Sequence, residues 1–332
     1  MANLWSRLDY RNWFVPGVIN NPCFPAMDNN IKCQACVDSC SAQAISKQWG
    51  TIQIDPERCN YCGDCYNACP GDLIGIQGLD KLLVKVKRDR EKGADTLYLF
   101  CDHHRHGDVQ GAVQMPTYKY LSPEVLFWAA ALGYTQVALP SPKACQGCRE
   151  NCYQGIIAGL ENVNIWLQSW NKKLELTDYS PRSNKSTDRQ LSRRELFTGL
   201  GWKVKSEVAG LVVEELESRL TRVLPRTEQG YMRRQTLKAM AVKLLPPAGK
   251  WPRIAIYPEV SAQCTGCRVC SKQCPTRALV YEAEGLLVKP WLCNGCNFCG
   301  GACPQGYITL QPVEEQEHFF LSRRYQFARE VD

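Results

Sequence analysis

The rhythm of apolar and polar positions changes several times along the chain. From Gly93 to about Leu176, Thr96-Leu-Tyr-Leu-Phe100 is an apolar run fit for a buried strand. Ser122-Pro-Glu-Val-Leu-Phe-Trp-Ala-Ala-Ala-Leu132 has a capping serine, a proline at the first helical position and a helical apolar face, and Gly133 ends it. Gln136-Val-Ala-Leu139 supplies a second strand. Strand, helix, strand in this order predicts an α/β unit, with ligand positions at the strand ends. The flanking segments carry shorter elements. Gly50 to Asp55 reads as a strand, and Ala278 to Glu282 with Gly285 to Lys289 as a hairpin. Leu73-Ile-Gly-Ile76 and Tyr307-Ile-Thr-Leu310 are expected to close each sheet. Residues 178 to 195 are polar and basic, a linker. Within it Ser192-Arg193-Arg194-Glu195-Leu196-Phe197 has the look of a twin-arginine signal, but charged residues follow it, and Ser192 with Glu195 reads as a capping box. Residues 206 to 245 continue as an amphipathic helical pattern, broken near Leu224-Pro225 and ended by Pro246-Pro247.

Cysteine is the outlier. The chain has 20 in 332 residues, most of them in two blocks at gaps of two or three. Such gaps seldom allow disulfide geometry but suit a shared metal. The C-terminal block reads Cys264-x2-Cys267-x2-Cys270-x3-Cys274-Pro275, then Cys293-x2-Cys296-x2-Cys299-x3-Cys303-Pro304. This resembles the bacterial ferredoxin run written twice, in which three close cysteines hold one cubane and the fourth crosses to the other. The resemblance implies one [4Fe–4S] cluster on Cys264, Cys267, Cys270 and Cys303, and a second on Cys293, Cys296, Cys299 and Cys274. Zinc on repeated C-x2-C pairs is the alternative, although a zinc ribbon has no use for the third cysteine or the Cys-Pro ending.

A shift of 234 residues brings Cys33, Cys36, Cys40, Cys59, Cys62, Cys65 and Cys69 onto Cys267, Cys270, Cys274, Cys293, Cys296, Cys299 and Cys303. Where Cys264 should have its mate stands Asn30. The nearest substitute is Cys23, seven residues upstream, and a looped ligand costs only modest entropy. The other reading leaves Cys23 free and the cluster as [3Fe–4S] or completed by another group. Ser41 departs from the Cys-Pro ending of the other three quartets. Both blocks resemble the 2[4Fe–4S] bacterial-type ferredoxin family, over roughly residues 20–80 and 255–312. That implies a small βαββαβ module at each end, with the clusters supplying folding energy.

The strand ends of the middle unit also carry cysteine: Cys101 after the first, and Cys145-x2-Cys148-x3-Cys152 after the second. Together these four make a candidate fifth centre. The stretch resembles the delta subunit of methyl-viologen-reducing hydrogenase through Phe100-Cys101, the helix-to-strand turn at Gly133, and Cys145-Gln-Gly-Cys148 with Cys152. The resemblance implies a [2Fe–2S] relay; [4Fe–4S], zinc and unligated thiols stay open, because Asp102-His103-His104-Arg105-His106 stands where a further cysteine is expected. Those three histidines are either ligands or proton carriers, or simply a solvated loop.

Composition fits a soluble globular protein, 45% apolar and 22% charged. The longest apolar stretch, around Val125 to Tyr134, is about half of what a membrane span needs, and the N-terminus lacks a secretory h-region. A reducing cytoplasm is the expected compartment. The formal charge of +7 falls to about −1 if four thiolate-ligated cubanes each bring about −2, so no nucleic-acid partner is expected. No G-x-G-x-x-G and no phosphate loop supports nucleotide or flavin binding. The aromatic ends, Trp5, Tyr10, Trp13 and Phe14 and then His318-Phe-Phe-Leu321 and Tyr325-Gln-Phe327, are interface anchors or pack back onto the modules.

The expected fold is α+β: an N-terminal dicluster module over 1–80, an α/β domain over 93–176, a basic linker with amphipathic helices over 177–250, a second dicluster module over 251–315 and a tail over 316–332. The expected function is single-electron relay between donor and acceptor subunits of an oxidoreductase complex, of the hydrogenase, formate dehydrogenase or heterodisulfide-reductase type. In that role the chain is an electron-transfer subunit rather than a catalytic one. A reductase acting on thiols or disulfides at Cys101 and Cys145 to Cys152 is the alternative.

Overall fold

The computed structural model describes residues 14, 16–19, 23, 33–48, 50–101, 112–140, 152–179, 234–248, 251 and 254–326. Cys145, Cys148, Asn30, the histidine loop at 103–106, the capping box at Ser192 and the helical pattern before Arg234 lie outside the described residues, as do Trp5, Tyr10 and Trp13.

The N-terminal part runs β1 (Pro16–Val18), α1 (Ala35–Asp38), β2 (Ile45–Gln48), β3 (Thr51–Ile54), α2 (Asp64–Ala68) and β4 (Ile74–Ile76). β2 and β3 form an antiparallel hairpin, turned at Gly50 with φ 75°. β4 does not extend that hairpin, as its sequence suggested. It pairs antiparallel with β1, Val18 opposite Ile74, in a separate two-stranded sheet. All three β4 residues are buried, so the strand lies in the interior rather than on the hairpin's half-exposed edge.

α3 (Leu79–Glu91) follows, burying Leu79, Leu82, Leu83 and Val86 at helical spacing beneath a charged outer face. The middle domain is β5 (Thr96–Cys101), β6 (Val113–Met115), α4 (Pro123–Leu132), β7 (Gln136–Pro140), α5 (Cys152–Leu167) and β8 (Glu175–Tyr179). Its strands are parallel in the order β6-β5-β7-β8. α4 is buried along most of its length and ends at Gly133, whose φ of 108° turns the chain out of the helix. Ser122 occupies the cap position, but its hydroxyl makes no capping bond. The start is fixed instead by Pro123 and by the Ser122 carbonyl, which accepts from Val125 and Leu126 N–H.

α6 (Arg234–Leu244) packs along α4 and ends before Pro246-Pro247. Its Lys238 ammonium donates to the Ile254 carbonyl at 2.9 Å, tying the helix to the C-terminal part. That part runs β9 (Ile256–Val260), α7 (Val269–Gln273), β10 (Leu279–Glu282), β11 (Gly285–Val288), α8 (Phe298–Ala302) and β12 (Ile308–Pro312). It repeats the N-terminal order, by the step that takes Ile45 to Leu279, Thr51 to Gly285 and Asp64 to Phe298. β12 likewise pairs with β9, not with the hairpin.

α9 (Gln316–Phe320) and β13 (Arg323–Tyr325) complete the described chain. β13 pairs with β11, and Phe319 is fully buried against Trp251 at 5.8 Å. Residues 316–326 thus pack on the C-terminal part. Gly285, at φ 138°, lets the Tyr325 backbone approach where a Cβ would collide with its carbonyl.

Candidate metal centres

Three of the cysteine motifs are shaped by the same local backbone. Tyr61 and Gly63 flank Cys62 with positive φ, as Gly266 and Arg268 flank Cys267 and Gly295 and Asn297 flank Cys296. Alternating left-handed residues curl the chain and turn successive N–H groups inward, a nest that suits an anionic group. A short helix then starts with the third cysteine in its first turn.

The fourth cysteines share another device. The N–H groups of Ala44, Leu73, Ala278 and Tyr307 donate to the sulfurs of Cys40, Cys69, Cys274 and Cys303 at 3.2 to 3.3 Å. In each turn the preceding residue, Gln43, Asp72, Arg277 or Gly306, takes a positive φ. Cys40 makes this turn with Ser41 in place of proline, so the proline is not needed for the geometry. Donors aimed at sulfur favour a thiolate over a thiol and tune any iron it holds.

Cys264, Cys267, Cys270 and Cys303 line one hollow, with about 390 Å³ of empty space that opens partly to solvent. Cys274 lines a second, of about 280 Å³, with Cys293, Cys296 and Cys299. In the N-terminal part the same crossing shows in the electrostatics. Cys36 is pushed up to about 11, first by burial and then by Cys69 and Cys33. Cys65 is pushed up to about 12 by burial and then by Cys62, Cys59 and Cys40. Among the described residues, no three His, Cys, Asp or Glu side chains converge closely enough to hold a single metal ion. Sulfurs set around a hollow fit a multi-atom cluster better than zinc, which needs its thiolates within about 2.3 Å of one point.

Cys23 is buried, and its N–H donates to the Gly50 carbonyl at 2.6 Å, beside the start of β3. Strand register clarifies its place. Val18 faces Ile74 as Val260 faces Ile308, and Cys23 stands five residues beyond Val18 where Cys264 stands four beyond Val260. All but one of the extra N-terminal residues thus fall between Cys23 and Cys33, which a fixed 234-residue offset cannot reveal.

In the middle domain Cys101 is the buried last residue of β5, and Cys152 opens α5 after β7. Both stand at the C-terminal edge of the parallel sheet. The Cys152 sulfur lies 3.2 Å from the Thr117 hydroxyl. Burial, and then Cys101, pushes the Tyr179 hydroxyl up to about 12.

Several residues around these sites carry no motif. Tyr120 donates to the Tyr61 carbonyl at 2.5 Å, stacks on Phe14 and fills the space beside Gly63. Lys119 pairs with Asp64 at 2.6 Å, and the Asn67 side chain donates to the Lys119 carbonyl at 2.8 Å. The turn from Thr117 to Tyr120 therefore joins the Cys152 sulfur to the Cys59–Cys65 segment. Arg234 grips the turn after Cys69, donating to its carbonyl at 2.8 Å.

Among the described residues no helix is long and apolar enough to cross a membrane. No curated protein and no solved structure matches the chain. Residues 31–73 match a family model described as a 4Fe-4S dicluster domain. The chain therefore contains a ferredoxin-like 4Fe–4S dicluster domain, which supports an iron–sulfur electron-transfer role.

Proposed function

We propose that the protein is a multi-cluster electron relay with two 2[4Fe–4S] modules and a fifth centre between them. One N-terminal cluster is held by Cys33, Cys36, Cys69 and the looped Cys23, and the other by Cys59, Cys62, Cys65 and Cys40. The C-terminal pair are held by Cys264, Cys267, Cys270 and Cys303, and by Cys293, Cys296, Cys299 and Cys274. When bound, such cubanes each supply one-electron cycling at a potential set by hydrogen bonds and burial. The chain's own part is to bury the sulfurs, aim N–H groups at them and hold the sets in a fixed row. Cys101, Cys145, Cys148 and Cys152 are assigned to the fifth centre, [2Fe–2S] or [4Fe–4S]. Donor and acceptor are separate subunits of an oxidoreductase complex in a reducing cytoplasm.

The observation that carries this reading is the crossing: Cys303 lies in the hollow of the Cys264 motif and Cys274 in that of the Cys293 motif. Iron loss in double variants tests it. Replacing Cys264 and Cys303 together by alanine takes two ligands from one cubane and is expected to leave the other C-terminal cubane intact, whereas replacing Cys293 and Cys303 takes one ligand from each and alters both. Two altered cubanes in the first variant, or an intact one in the second, contradict the crossed assignment.

A further inference from the structure

We infer that the two modules meet cysteine set to cysteine set, with Cys69 of one beside Cys293 of the other, and that Asn294 and Arg234 are the positioning residues of this junction. The inference rests on the cluster reading above and adds the order of the sets.

Three contacts define the junction. The Asn294 side chain donates through Nδ2 to the Pro70 carbonyl at 2.8 Å, while its Oδ1 accepts from Cys296 N–H at 3.3 Å. One hydrogen bond thus links the residue after Cys69 to the residue after Cys293. Gly71 lies against Pro275, the residue after Cys274, and against the Phe298 ring; a Cβ there would stand 3.1 Å from one and 3.3 Å from the other. The first two residues of α6 hold both sides. Arg234 donates to the Cys69 carbonyl and to Asp72, and the Gln235 side chain donates to the Trp291 carbonyl at 3.1 Å, two residues before Cys293.

The remaining sets fall to the outside. Cys59, Cys62 and Cys65 are flanked by Tyr120 and Lys119 of the middle domain. The Cys264 set is lined by Arg268 and Tyr281, and Cys267 is exposed. The row is therefore the middle site, then the Cys40 set, the Cys69 set, the Cys274 set and the Cys264 set. This order leaves the two ends of the row as the places where partners exchange electrons, and neither end lies at the junction itself.

The test removes sets in pairs from the full chain, in a background of Cys101→Ala and Cys152→Ala that silences the middle site. One variant adds Cys59→Ala, Cys62→Ala, Cys264→Ala and Cys267→Ala, which spares the two inner sets. The other adds Cys33→Ala, Cys36→Ala, Cys293→Ala and Cys296→Ala, which spares the two outer ones. Both are loaded without oxygen, counted for iron, fully reduced and compared by EPR. Mutually broadened signals from the inner pair and separate signals from the outer pair are expected. Separate signals from both variants, or the reverse pattern, overturn the junction. Absence of cubane iron from the wild-type chain overturns the underlying reading instead, and is seen before any variant is made.

If the variants do not hold iron, Asn294→Asp in the otherwise unaltered protein decides the matter. It keeps the oxygen that caps Cys296 N–H and replaces the donor to Pro70 by a negative charge. A redox titration is expected to show two clusters shifted to lower potential. Asn60→Asp, in the matching N-terminal turn that caps Cys62, shifts one. A single shifted cluster in Asn294→Asp refutes the junction.

Discussion

Arg234 and Asp72, 162 residues apart in the chain, face each other in the interior with Nε 3.0 Å from Oδ1. Burial alone would pull the guanidinium's pKa down; Asp72, then Tyr66 and Glu124, more than offset that and hold it above its ordinary value. The same guanidinium lies over the Tyr66 ring at 5.2 Å and bonds the Cys69 carbonyl. The helix that opens at Arg234 is thereby fixed to the turn that follows Cys69.

Breaking this pair leaves one buried charge without its partner. Arg234→Ala and Asp72→Ala are each expected to cost about 3–5 kcal/mol. The double variant should cost less than the sum, because the two act on one interaction. Thermal unfolding of the iron-loaded protein measures this, and strictly additive losses contradict the coupling.

Gly63 and Gly306 both take left-handed φ, 79° and 69°, but only Gly63 is crowded. A Cβ there would come 2.6 Å from the Tyr120 ring, whereas Gly306 has open space. Gly306→Ala is expected to cost about 1–2 kcal/mol, the backbone price alone. Gly63→Ala should cost clearly more and loosen the contact with the middle domain. Equal unfolding midpoints for the two variants contradict that packing.

Cys23 offers a sharp chemical outcome. Cys23→Ala is expected to leave the Cys33, Cys36 and Cys69 site one ligand short, so that it loses one iron and shows a [3Fe–4S] signal when oxidised. Unaltered iron and an unaltered spectrum would make Cys23 a structural thiol.

The iron-free thiols give a pH dependence with a definite sign. Folding lifts Cys36, Cys62 and Cys293 to about 11 and Cys65, Cys270 and Cys296 to about 12, chiefly by burial. An unfolded thiol titrates at about 8.5, so above that pH the unfolded chain has released protons that the folded one keeps. The stability supplied by neutral thiols is full below about 8.5 and is lost as pH rises through about 11 to 12. Ligated cysteines are already thiolates, so the loaded protein lacks this alkaline loss, and loading at neutral pH releases protons. Unfolding midpoints of both forms against pH test this; matching alkaline profiles contradict it.

Much of the candidate chemistry was legible because the candidate ligands sit at fixed local gaps, as Cys293, Cys296 and Cys299 do. The β10–β11 hairpin and the β5, α4, β7 order followed from equally local patterns. Other features depend on partners far away in sequence. α3 hid its apolar face of Leu79, Leu82, Leu83 and Val86 among charges. β4 read as a hairpin neighbour because alternation cannot say which strand it joins. Asn294 looked like an ordinary turn residue, and its bond to Pro70 crosses 224 positions. Arg234 carries no motif, and its role comes from meeting Asp72.

Iron and acid-labile sulfide per chain, with Mössbauer spectra, on protein purified without oxygen test the multi-cluster relay at its root. About 18 or 20 irons are expected, of which about 16 sit in cubanes and the rest in the middle centre. About 16 irons, all in cubanes, would take the middle cysteines out of the relay. A colourless protein with zinc at the cysteine sets would contradict it outright.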